Sequence, residues 1–184
     1  MAAAETFAPE EIEPRVHLVP ETSEKGHFNV LRGHVATLGE RGVAGVKVVG
    51  DFVDNHTLGL PSELALLTLY DPTTGVPVAI LDATLITEVR TGAMTAVGAR
   101  HLARGDARVL GHVGARGTAF SNVVMLDAAF ELDEIRVTSW RPESREAFAE
   151  RLRAVTDTPV VVTASVVETF EGADIAVEAT RLVE

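Results

Sequence analysis

The sequence predicts an α/β protein in which a sheet-rich first portion precedes a doubly wound parallel sheet of four strands. Three observations carry this prediction. Strand-like apolar runs occupy residues 43–81, a helical period follows from Asp82 to Arg104, and from Arg108 to Ala179 short apolar strands alternate strictly with helices. Strict alternation means parallel strands joined by right-handed crossovers. The domains are expected at 1–104, with the long helix as the link, and at 105–184.

The elements follow in order. Val43–Val53 is rich in Val and Gly around the single interior Lys47. Leu64–Tyr70 and Val76–Leu81 flank Asp71-Pro72-Thr73-Thr74-Gly75, a link whose Pro and Gly favour a tight reversal, so the two runs should pair as a hairpin. Asp82 or Thr84 can cap a helix with Ile86, Val89, Ala93, Ala96 and Val97 on one face, and Gly105-Asp106 breaks it. Strands are then expected at Val109–Val113, Ile135–Ser139, Val160–Thr163 and Ile175–Ala179. Helices are expected at Thr118–Phe130, Pro142–Val155 and Val166–Phe170. Pro142 suits a first helical turn, where its missing N–H costs nothing. The result is an incomplete Rossmann-like sheet, ending where a dinucleotide fold adds two further strands.

Composition narrows the function classes. The 184 residues hold 27 Asp and Glu against 16 Lys and Arg, a net charge of −11, and no basic stripe, which argues against nucleic acid as a partner. Cysteine is absent, so disulfides, thiolate catalysis and Cys-based metal sites are excluded. The six histidines show no metal-ligand spacing, and no metal is expected. His112 replaces an apolar residue within a strand and reads as a hydrogen-bonded core histidine. Residues 1–13 lack a basic start and an apolar stretch, and no apolar run approaches the ~18 residues of a membrane span. A cytoplasmic protein without membrane attachment is the expectation.

Three constellations could carry chemistry. Gly111-His112-Val113-Gly114-Ala115-Arg116-Gly117-Thr118-Ala119 lies at a strand-to-helix turn. A dinucleotide loop needs a tight turn, a close backbone approach to the diphosphate and a small residue where helix meets strand. Gly114 supplies the turn and Ala119 the small contact, while Arg116 takes the middle glycine's position and Gly117 follows it. Free amides at the helix start attract an anion, and the Arg116 guanidinium could add a phosphate contact; the other reading is a corner without a ligand. At the end of the next strand, Ser139 stands where an NAD site places a carboxylate, with Arg141 two residues on. A cation without an acid favours a 2′-phosphate, hence NADP, while Pro142-Glu143 capping explains the same residues. Lys47 lies between apolar neighbours and either faces solvent from a half-buried strand or enters a cavity, where it would bind a carboxylate or donate a proton. Arg90, beside Thr91, suits bidentate carboxylate recognition or a solvated helix face, and Arg15 has no reading by itself.

The ordered blocks Gly45-Val46-Lys47-Val48-Val49, Asp54-Asn55, Gly59-Leu60-Pro61-Ser62, Leu67–Asp71 closing on Thr74-Gly75, Leu81-Asp82-Ala83-Thr84, Thr87-Glu88-Val89-Arg90-Thr91-Gly92-Ala93, the glycine corner, and Gly172-Ala173-Asp174-Ile175 together resemble the ornithine cyclodeaminase/mu-crystallin family. The resemblance covers residues 12 to 184 and is more specific than any single block. It implies a dimerising sheet domain, a dinucleotide-binding Rossmann domain and an active site between them. It also implies NAD or NADP, with the lean to NADP set by Arg141, acting on a small amino or imino acid. Carried over, Lys47 would contact the substrate carboxylate and assist proton transfer, and Arg90 and Arg15 would hold that carboxylate. Ser62 would lie near the nicotinamide. Thr91, Gly114, Ala115 and Thr118 would line the diphosphate, Ser139 and Arg141 would meet the adenosine ribose, and Thr180 the nicotinamide ribose, while Arg116 stands where the family has its second loop glycine. Family chains continue beyond position 184, so an incomplete form truncated at its C-terminus is expected, and the aspartate used by cyclodeaminases falls outside it. A homodimer or a completing second chain is the expected partner. The rival is a non-catalytic NAD(P)- or ligand-binding protein of the mu-crystallin kind, or a split subunit.

Overall fold

The computed structural model describes residues 14–22 and 25–180. By contacts the chain forms two compact units, dividing between Thr87 and Glu88.

The first unit is a five-stranded antiparallel sheet in sequence order, β1 (Val16–Leu18), β2 (Gly26–Val35), β3 (Val43–Phe52), β4 (Glu63–Tyr70) and β5 (Pro77–Asp82). The β4–β5 hairpin forms as expected. The Asp71 carboxylate accepts from the Thr73 and Thr74 amides, both at 2.9 Å, and Gly75 closes the turn at φ 71°. β1 and β2 lie outside the strand-like runs that the sequence predicts at 43–81. His, Asn, Arg and Gly interrupt the apolar pattern of β2, which pairs along its whole length with β3 from Gly26↔Phe52 to Val35↔Val43. A short 3-10 helix, Val53–Leu58, ends at Gly59 in the left-handed conformation.

The helix α1 (Thr84–Leu102) starts where the Asp82 carboxylate accepts from the Thr84 amide at 2.8 Å. The expected boundary at residue 104 places this whole helix with the first domain. Its later turns instead pack within the second unit, where Thr95 donates to the Asn122 side chain at 2.9 Å. A Cβ on Gly92 would lie 2.4 Å from the Ser121 carbonyl oxygen.

The second unit alternates β6 (Val109–Val113), α2 (Ala119–Asp127), β7 (Glu134–Thr138), α3 (Pro142–Arg153), β8 (Val160–Val162), α4 (Val166–Phe170) and β9 (Ile175–Glu178). The sheet is parallel, in the order β8-β7-β6-β9. α2 and α3 are shorter than the expected Thr118–Phe130 and Pro142–Val155, because residues 128–129 and 154–155 already turn, and β7, β8 and β9 each stop a residue early. Leu110, Ile135 and Val137 of the sheet are fully buried with Val123, Leu126, Phe148 and Leu152 of the helices, so both halves of each crossover share one core. Asp174 ties the start of β9 to β6, accepting from the Arg108 and Val109 amides at 2.8 and 3.0 Å. Those donors hold its carboxyl below the usual range. No described helix is long and apolar enough to cross a membrane.

Candidate functional site

In the second unit the chain runs outward from β6 to β7 and β8, then returns to the other side of β6 as β9. The order therefore reverses between β6 and β9. Open α/β sheets bind ligands outside the carboxyl ends of the strands at such a reversal.

Glycine makes this corner possible. Gly114 follows β6 at φ 111°, and its amide donates to the Thr138 carbonyl at the end of β7, at 2.9 Å. A Cβ there would lie 2.6 Å from the Ala179 carbonyl oxygen, so only glycine lets the ends of β6 and β9 approach so closely. Gly117 supplies the second left-handed conformation, at φ 54°, and a Cβ on it would meet nothing within 4 Å; its backbone shape, not contact, calls for glycine. Arg116 itself has no positive φ and is exposed. No described backbone carbonyl accepts from the amides of residues 115–118, and Thr118, at the N-cap of α2, makes no side-chain capping bond. Unspent amides at a helix start form a place for an anion. The corner thus fits a diphosphate.

At the end of β7, the half-buried Ser139 donates to the Arg141 carbonyl at 3.2 Å, and Arg141 forms the N-cap of α3 with Pro142 next. After β9, the Thr180 amide and hydroxyl both donate to the Glu178 carboxylate, which Thr180 holds below its usual range.

In the first unit, Lys47 is half-buried on β3. Its Nζ donates to Thr87 Oγ1 at 3.2 Å, and the Thr87 hydroxyl, on a residue 3% exposed, donates to the Ala83 carbonyl at 2.8 Å. The amine thus reaches the Thr87 hydroxyl while Lys47 itself stays half-buried. Arg15 directly precedes β1. Val16 pairs with Val30 and Val30 with Val48, while Leu31 pairs with Lys47, so Arg15 continues the row that holds Lys47, two strands away. At ~4.8 Å per strand, the two backbones stand about 10 Å apart. Ser62 is half-buried, and its carbonyl accepts from Phe52 at 2.8 Å. Asn55 pins the same loop through the Pro61 carbonyl at 2.9 Å. In the second unit, Arg90 is exposed and Thr91 half-buried on α1.

The structure therefore gathers Gly114, Ala115, Arg116, Thr118, Ser139, Arg141 and Thr180 at one edge of the parallel sheet, and sets Arg15 just before β1, two strands from the β3 strand that carries Lys47. Sequence reasoning missed Thr87, whose only signal was its place in the block that also holds Arg90. The packing at Gly111, where a Cβ would lie 2.5 Å from the Thr169 carbonyl oxygen, had no signal in the sequence. A cavity of about 460 Å³ lined by Arg100, Arg108, Phe130 and Glu131 lies at the opposite, amino-terminal edge of β6, away from these residues.

Known proteins resemble this chain over most of its length. Residues 4–184 match the model of the ornithine cyclodeaminase/mu-crystallin family. An alanine dehydrogenase of Archaeoglobus fulgidus is 33% identical over 73% of this chain and 39% of its own. The structure of Thermococcus litoralis Δ1-pyrroline-2-carboxylate reductase with NADH and L-proline superposes with a TM-score of 0.85 at 29% identity, over 92% of this chain and 51% of that one. An archaeal alanine dehydrogenase dimer with bound NAD gives 0.80 at 30% identity, over 92% and 49%. The chain thus spans about half the length of these relatives, or less.

Proposed function

The chain belongs to the ornithine cyclodeaminase/mu-crystallin family, and from that premise we propose that it takes part in NAD(P)-dependent hydride transfer on a small α-imino or α-amino acid. The observation that carries this reading is the glycine corner at the β6–β9 reversal, with its unspent amides and its close approach to β9.

The residues divide the work. Gly114, Ala115, Arg116 and Thr118, with Thr91, hold the diphosphate through backbone amides, a hydroxyl and one guanidinium. Ser139 and Arg141 meet the adenosine ribose, Thr180 the nicotinamide ribose, and Ser62 lies on the nicotinamide side. When bound, the nicotinamide ring supplies or accepts the hydride. Lys47 and Arg15 hold the substrate carboxylate, with Arg90 as a further cation. Charge-assisted hydrogen bonds of this kind fix orientation as well as affinity. Thr87 can only accept from Lys47, because its own proton is committed to Ala83, so the amine is steadied while it delivers a proton to the imine nitrogen.

NADP is the preferred dinucleotide in this reading. No carboxylate stands among Ser139, Trp140 and Arg141 to repel a 2′-phosphate, and Arg141 can pair with one. A homodimer through the antiparallel sheet belongs to the same proposal. Leu66, Val78 and Ile80 are 52%, 60% and 68% exposed on neighbouring strands, an apolar surface of the kind that marks an interface.

NADPH and NADH fluorescence titrations, followed by single-turnover reduction of Δ1-pyrroline-2-carboxylate, test the function. Lys47→Ala should abolish imine reduction and leave dinucleotide affinity within twofold, and equal loss of both would refute its role. Arg141→Ala should weaken NADPH more than NADH. Binding without turnover by the wild type would favour the non-catalytic reading.

A further inference from the structure

We propose that Trp140 is the platform on which the adenine ring of the dinucleotide stacks. This rests on the dinucleotide reading above and assigns a contact within it. Trp140 is the only tryptophan of the sequence and is 96% exposed. An indole is normally largely buried, since its apolar area dominates its energetics, and this one leaves its ring face open to a ligand.

The backbone that presents it is held on both sides. The Thr138 carbonyl, two residues earlier, accepts from Gly114 in the glycine corner, and the Ser139 hydroxyl closes the next turn on the Arg141 carbonyl. Arg141 and Pro142 then start α3. The indole therefore projects from a fixed position beyond β7, on the strand next to β6. A dinucleotide whose diphosphate sits on the β6 corner extends its adenosine half away from the β6–β9 reversal, toward β7. There the Ser139 hydroxyl cannot donate to the polar edge of a purine, because its proton is committed to a carbonyl. A π-face is what the chain offers, and stacking is indifferent to that edge. Each stacked base contributes ~1–3 kcal/mol, or about 5- to 150-fold in affinity.

Because Trp140 is the sole tryptophan, all indole emission reports on it. 2′,5′-ADP, which carries the adenine without the nicotinamide, should quench that emission, and nicotinamide mononucleotide should not. By calorimetry, Trp140→Ala should lose about 5- to 150-fold affinity for both NADPH and 2′,5′-ADP. Trp140→Phe, which keeps a ring, should retain most of it, and nicotinamide mononucleotide should bind all three proteins alike. Wild-type affinity of Trp140→Ala for 2′,5′-ADP would overturn the stacking while leaving the dinucleotide reading intact. So would binding of 2′,5′-ADP without quenching. Failure of the wild type to bind either NADPH or 2′,5′-ADP would overturn both.

Discussion

Replacing His112 by Leu should flatten the acid side of the stability profile. His112 sits on β6 with no exposed surface, its Nδ1 3.1 Å from the Gly114 carbonyl oxygen and its Nε2 buried without a partner. A carbonyl only accepts, so the hydrogen-bond network assigns the proton to Nδ1 and leaves a bare lone pair on Nε2. A second proton would place a cation in the core. Burial pushes the group down from 6.5 to about 4, against smaller upward pulls from the Gly114 carbonyl and the Glu178 charge. The unfolded chain therefore takes up its proton near pH 6.5 and the folded chain only near 4, so folding stability is full above 6.5 and falls as the pH drops between them. At ~1.4 kcal/mol per pH unit the complete loss is about 3 kcal/mol, of which about 2 kcal/mol has accrued by pH 5. The carboxylates of Asp174 and Glu178 are held low, so what they contribute is present above their ordinary values of 3.8 and 4.5 and is lost below them. The interval from pH 7 to 5 thus isolates the histidine. Urea unfolding followed by circular dichroism at both pH values should show the wild type losing about 2 kcal/mol more than His112→Leu across it. Parallel profiles for the two proteins would refute the reasoning.

Two glycines of one helix should respond in opposite directions to alanine. Gly98 would place its Cβ in open space, so Gly98→Ala should stabilise by up to ~1 kcal/mol through helix propensity, raising Tm by a few degrees. Gly92→Ala gains the same propensity, but its Cβ would lie 2.4 Å from backbone oxygen of α2; overpacking costs ~1–3 kcal/mol, so Tm should fall. On the antiparallel sheet, the double variant Leu66→Glu, Ile80→Glu should sediment as a monomer where the wild type sediments as a dimer. A charged pair that leaves the dimer intact would move the interface elsewhere.

Much of the fold was legible because its signals are local. Strict alternation of apolar strands and helices after Arg108 identified β6 to β9, and Asp71 to Gly75 identified the hairpin, since each rests on neighbours a few residues apart. β2 escaped because its pattern is broken by polar residues that only its ten-residue pairing with β3 makes tolerable. The diphosphate corner was half legible. Gly114 and Gly117 could be read as turn formers, but the approach of Ala179 that excludes any side chain at 114 joins residues 65 apart.

The amino-acid order by itself determined the order of strands and helices from β3 onward, the hairpin and the parallel sheet, and the glycines at the corner, because backbone preference and apolar period act over a turn or two. Tertiary structure alone decided which way Lys47 points. Its amine reaches a buried hydroxyl 40 residues further along the chain, and that meeting depends on strand register and on where α1 begins, which no stretch of neighbouring residues encodes.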